Sequence, residues 1–309
     1  MRFVRSVSVT AVFMIGVGCW SMGSTTPASA DRVTPTPYTA AATPTPKAST
    51  SPKGTPNMNE TKTSGDFVKN LAADFEQPQT DAAKLLFREY GSLFVARNGA
   101  TPPKKVVFSD DADVTAFQTS VGSSTERIGA HNVELQTAAM TALRAAIAEA
   151  RAAGASITPR GADSAKRGYK QTVTLWASRV NPGLVHWVGK GRITQKDANR
   201  IKALTPFEQV PEILALEQQG IYFAKDLSKS IIYSVAPPGT SQHLSMLALD
   251  VAEFENPRVR AILANNGWFQ TVSSDLPHFT YLGVTEAELP GLGLKSVTNS
   301  GRTFWVPDI

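Results

Sequence analysis

Hydrophobic positions recur at helical spacing along much of this chain. Between Asn132 and Ala153, residues Leu135, Ala139, Leu143, Ala146, Ile147 and Ala150 follow one another at short helical intervals, and Gly154 stands as a stop, which predicts the best-defined helix. The same spacing in Phe67, Leu71, Phe75 and in Leu85, Leu86, Tyr90 predicts helical material within 67–97. Residues 105–118 read as a strand followed by a capped helix, and further helices are expected over 164–178, 193–204, 210–219 and 257–266. Strands are expected at 155–159, at 230–235 where β-branched residues precede the Pro237-Pro238-Gly239 turn, in the apolar run ending at Val251, and as a short pair around 268–271 and 278–282. Trp176 and Trp187 read as packing residues, Trp268 as either packing or a cleft wall, and Phe304 and Trp305 as a tail that covers an edge. Helices and short strands mix without βαβ alternation. The expected fold class is therefore α+β, a small antiparallel sheet flanked by helices.

The first 65 residues break from this pattern. Arg2 and Arg5 precede an apolar stretch from Val7 to Trp20, and Ala28-Ser29-Ala30 offers the small residues of a cleavage site, so 1–30 reads as an export signal with a mature start at Asp31. The rival reading puts a lipid on Cys19; either way the body is expected outside the cytoplasm, touching a membrane only through this front end. Residues 31–65 hold nine Thr and six Pro, with TPTP at 34–37 and 43–46, a composition too poor in apolar side chains to offset its ordering entropy. This segment is expected to be a disordered linker. The domain organisation read from the sequence is thus signal 1–30, linker 31–65, an N-terminal accessory region 66–131 and a catalytic-type domain 132–309.

Composition narrows the chemistry. The 309 residues include one cysteine, Cys19 in the signal, which excludes an internal disulfide framework and a cysteine-rich zinc module. The net charge of +5 is too small to argue for nucleic acid, and no nucleic-acid partner is expected. There is no G-x-S-x-G elbow, no serine followed three residues later by lysine, no P-loop and no dinucleotide glycine fingerprint.

Of the four histidines, His131 and His186 lie beside ordinary helical material with no acidic partner at ligand spacing. The other two differ. His243 follows the Pro-Pro-Gly turn, Asp250 lies seven residues later in the apolar run Leu247-Ala248-Leu249-Asp250-Val251, and His278 closes Asp275-Leu276-Pro277-His278. A carboxylate buried in such a run needs a cation or a strong hydrogen bond. Two imidazoles and a carboxylate make a three-ligand set that leaves one tetrahedral position open, as hydrolytic zinc requires. Asp275, three residues before a ligand, is near enough to serve as a general base.

These residues carry a resemblance. Ser241-x-His243, then Asp250, then an acid-x-x-His pair before a strand, is similar to the zinc peptidases of the D-alanyl-D-alanine carboxypeptidase type, including VanY-like enzymes and L-alanyl-D-glutamate endopeptidases, which share an α+β fold with the Hedgehog signalling domain. The resemblance spans about 156–283. It implies Zn2+ on His243, Asp250 and His278, Asp275 as general base, Ser241 holding substrate or the geometry around the metal, and Arg160 (or Arg167) anchoring a peptidoglycan stem peptide. The sequence departs from the family where a glycine is usual and Met246 stands, where a tryptophan is frequent and Pro277 stands, where Asp275 replaces a glutamate common in the carboxypeptidases, and in a long insertion, 180–231. These departures leave a second expectation, a zinc-containing binding module of the same fold without catalysis.

Overall fold

The molecule is described by a computed structural model over residues 66–309; the segments expected to be an export signal, 1–30, and a Thr/Pro-rich linker, 31–65, lie outside the described residues. The chain opens with α1 (Asp66–Lys69) and α2 (Asp81–Tyr90), the latter started by Thr80, whose hydroxyl accepts from the Ala83 amide, and burying Leu86, Phe87 and Tyr90. After α3 (Asp111–Ser120), capped by the Asp110 carboxylate, comes a hairpin of β1 (Ser123–Ile128) and β2 (His131–Gln136). Then follow α4 (Thr137–Ala152), α5 (Tyr169–Gly189), α6 (Gln195–Ala203) and α7 (Pro206–Glu217). The last third holds β3 (Ala248–Asp250), α8 (Pro257–Asn265), β4 (Trp268–Phe269), β5 (His278–Tyr281), β6 (Leu294–Asn299) and β7 (Arg302–Pro307).

The central sheet has the order β3-β5-β4, all antiparallel, and its register sets Asp250 directly opposite His278. Strands β6 and β7 form a separate hairpin closed by Ser300 and Gly301, both at positive φ, the two-residue turn whose twist suits a hairpin. Within it, Phe304 is fully buried, and the Trp305 amide donates to the Gln270 carbonyl just past β4, so the tail does cover that side of the sheet. The architecture is α+β.

Several elements differ from the sequence expectation for identifiable reasons. Residues 132–136 are strand rather than helix: Val133 and Leu135 alternate inward, and pairing with β1 overrides the helical period that begins in earnest at Thr137. Helix α5 runs through Pro182 instead of ending near Ser178, because Trp176, Val180 and Leu184 bury one continuous face. Residues 231–233 form a 3-10 turn; Ile231 and Ile232 satisfy their burial in the core without a strand partner. At 155–159 a single bridge, Pro159 to Val251, stands where a strand was expected, since proline brings no amide to a ladder.

One buried cluster joins Phe67, Phe87 and Phe94 with Leu143, Trp176, Ile213, Leu249 and Phe279, so residues 66–131 share a core with the rest. The boundary drawn after residue 131 falls inside the β1-β2 hairpin, one residue into β2. Among the described residues no helix is long and apolar enough to cross a membrane.

Candidate metal centre

The site forms where three pieces of backbone meet. Gly239, at positive φ, lets the chain pass against the Phe108 carbonyl, where any Cβ would sit 2.0 Å from the oxygen. A 3-10 turn over Gln242–Ser245 then carries His243, and Met246 in the left-handed region reverses the chain into β3 and Asp250. The β3-β5 register supplies His278 from across the sheet. The loop 160–168 wraps the far side of Asp250, its Arg160 amide donating to the Asp250 carbonyl and its Ser164 carbonyl accepting from the Asp250 amide.

Three side-chain atoms converge. His243 Nε2 lies 3.2 Å from Asp250 Oδ1, His278 Nδ1 lies 3.1 Å from the same oxygen, and the two nitrogens are 3.2 Å apart. The outer nitrogens are spoken for. His243 Nδ1 is 2.7 Å from the Ala165 carbonyl, which can only accept, and His278 Nε2 is 2.9 Å from the Gln242 amide oxygen. Both rings therefore carry their proton on the outside and turn a lone pair inward. Both imidazoles are buried, and burial, as the largest influence on His243, holds that ring below its ordinary pKa and so neutral.

With the outer nitrogens as the donors, three inward atoms face one another as acceptors, an arrangement that a cation relieves. The spacing fits one. A tetrahedral ion with bonds of about 2.0 to 2.1 Å to nitrogen and oxygen sets its ligands about 3.3 Å apart. His243, Asp250 and His278 could thus hold a metal ion. The second carboxylate oxygen of Asp250 accepts from Arg167 at 2.8 Å, an ion pair largely hidden from solvent that turns Oδ1 toward the histidines.

The two histidines of the triad, His243 and His278, line a cleft of about 240 Å³. Ser241 and Asp275 line it, Asp275 exposed at its rim, and so do Arg167, Arg179 and Tyr233. Arg160 does not: its side chain is exposed and absent from the lining, and it serves Asp250 through its backbone amide. His131 and His186 lie in β2 and α5, outside the triad. Trp268 packs on Tyr281, ring centroids 5.4 Å apart, and is not part of the cleft wall.

Sequence reasoning passed over two residues. Arg179 makes no ion pair among the described residues and is held by its Nε donating to the Ser234 hydroxyl at 3.0 Å. Gln242 is the buried partner of His278. Neither spacing nor composition marks them, although the four polar residues Thr240 to His243 between the Pro-Pro-Gly turn and an apolar run are a signal that this loop is not ordinary surface.

No protein-family model matches the chain, and no curated protein matches it. Among solved structures similar to it is that of a vancomycin-resistance D,D-pentapeptidase VanY variant from a VanB-type resistance cassette in complex with Zn(II), 16% identical, with a TM-score of 0.31 over 53% of this chain and 82% of that one.

Proposed function

We propose that this chain is an exported zinc metallopeptidase, of the Hedgehog/DD-peptidase fold, that hydrolyses peptidoglycan stem peptides as a D-alanyl-D-alanine carboxypeptidase or related endopeptidase. The observation that carries the reading is the triangle of inward lone pairs from His243, Asp250 and His278, whose two imidazoles line a cleft that also holds the exposed carboxylate of Asp275. A zinc ion on these three ligands would polarise a scissile carbonyl and lower the pKa of a water toward neutrality. The Asp275 carboxylate takes the proton of the attacking water and delivers it to the departing amine. Ser241 lies on the cleft wall beside the first histidine and offers its hydroxyl to the substrate backbone. The Arg167 guanidinium is committed to Asp250, which leaves Arg179, held by Ser234, to meet an anionic group of the substrate. The export signal and linker read from the sequence would place this activity at the cell wall, without nucleic acid as a partner.

The test is incubation of the zinc-loaded full chain with defined stem peptides, with products read by mass spectrometry. Cleavage stopped by a chelator is expected, and the mass lost identifies the bond. His243→Ala or His278→Ala should abolish metal retention, whereas Asp275→Ala should keep the metal and lose turnover by about 100-fold or more. Chelation of the native protein should lower its melting temperature, the lost stabilisation being about 4 kcal/mol at a thousandfold excess of zinc over its Kd. A zinc-replete protein that cleaves no stem peptide would favour the non-catalytic binding module.

A further inference from the structure

The amide of Gln242 occupies an unusual position for a residue next to a metal ligand. It is 2% exposed, and its two ends are used in opposite senses. Gln242 Nε2 donates to the Tyr90 carbonyl at 2.9 Å, and because a carbonyl only accepts, the orientation of the amide is determined. Its oxygen must then face the other way, toward His278 Nε2 at 2.9 Å, where it can only accept. The same oxygen receives the Thr280 hydroxyl, which in turn accepts from the Thr271 hydroxyl at 2.6 Å. Thr271 and Thr280 are both fully buried, so no solvent competes for this oxygen.

We infer that Gln242 is the positioning residue that assigns His278 its tautomer, keeping the proton on Nε2 so that Nδ1 presents a lone pair beside His243 and Asp250. The inference rests on the metal reading of that triad, though not on catalysis. An imidazole free to choose would place its proton on either nitrogen; a proton on Nδ1 would point into the triangle and block it. An outer acceptor also raises the basicity of the ligating nitrogen, and losses of this kind weaken metal affinity by about 10- to 100-fold. A second consequence concerns the whole fold. The chain of bonds from the Tyr90 carbonyl through one amide to His278 ties the end of α2, in the segment read from the sequence as accessory, directly to a metal ligand.

Nitrogen-15 spectra of the metal-free full chain test the assignment without any variant: His278 is expected to show a protonated Nε2 and a bare Nδ1, and the reverse tautomer overturns the proposal. Zinc affinity by chelator competition gives the second arm. Gln242→Leu, which removes the acceptor, is expected to bind zinc about 10- to 100-fold more weakly and to mix the His278 tautomers. Gln242→Glu keeps an acceptor for His278 while losing the donor to Tyr90, and should recover most of that affinity. Equal weakening in the two variants would mean a merely structural role and overturn the proposal, as would native affinity in Gln242→Leu. A native protein that binds zinc with His278 in the expected tautomer yet cleaves no peptide would sink the peptidase reading and leave this one standing.

Discussion

Met246 shows how two local demands compete at one residue. The chain must turn sharply between the His243 turn and β3, and Met246 does so at φ +59°, in a region that costs an ordinary L-residue about 1 to 2 kcal/mol. Glycine would escape that cost, and the resembling family commonly has one there. Yet the Met246 side chain is fully buried, and emptying such a site costs about 2 to 5 kcal/mol. Met246→Gly is therefore expected to destabilise the protein by about 2 kcal/mol net, as measured by urea denaturation; a stabilised variant would show that backbone strain outweighs packing at this turn. The departure noted in the sequence thus has a physical reason visible only in the fold. Arg160 and Arg167 illustrate the converse: both were legible as arginines near the motif, but spacing could not say which side chain would reach Asp250.

At the scale of elements, the stretch after α7 is organised by a single buried carboxylate. Glu217, 6% exposed, accepts the amides of Phe223 at 3.0 Å and Ile231 at 2.7 Å as well as the Ser230 hydroxyl, so one side chain pins both ends of the segment that leads back to the cleft. Burial is the chief influence on it and pushes its pKa up. The folded state therefore holds this proton more tightly than the unfolded chain does. Its contribution to stability is fully present below the ordinary glutamate range and is lost as the pH rises through the raised folded value. Glu217→Gln, whose oxygen can serve both amides, should remove that slope from a stability-against-pH series. Glu217→Ala should cost about 3 kcal/mol by leaving two buried amides without a partner. An unchanged slope in the glutamine variant would assign the pH dependence elsewhere. Nothing in the sequence distinguished Glu217 from the exposed acids around it, because its role depends on partners up to fourteen residues away that fold back onto it.

On the scale of the whole molecule, one large cluster of buried side chains runs through residues 66–131 and those after them, beside a smaller one of Phe108, Val114, Tyr169 and Leu244. Phe67, Phe87 and Phe94 pack in the same cluster as Leu135 and Leu143, β1 completes the hairpin with β2, and the Tyr90 carbonyl holds Gln242. A chain beginning at Asn132 would expose that apolar surface and unpair β2. It is expected not to fold, giving a collapsed proton NMR spectrum and no cooperative melt, whereas 66–309 should melt as a unit. A cooperative transition in the shorter chain would support a domain boundary at residue 131.

The sequence by itself determined the α+β class, the existence of most helices, and the three residues whose side chains converge, because helical periodicity and the chemistry of a carboxylate in an apolar run are local properties. It could not tell that 132–136 would pair rather than coil, that 231–233 would turn rather than extend, or that the arginines at the cleft would be Arg167 and Arg179. Those outcomes were decided by tertiary structure, since each depends on a partner distant in the chain: β1 for β2, Glu217 for Ile231, Asp250 for Arg167, Ser234 for Arg179. The same holds for the metal triad. Residue type and spacing nominate its members, but the strand register that sets Asp250 opposite His278, and the outer acceptors that turn each lone pair inward, exist only once the chain has folded.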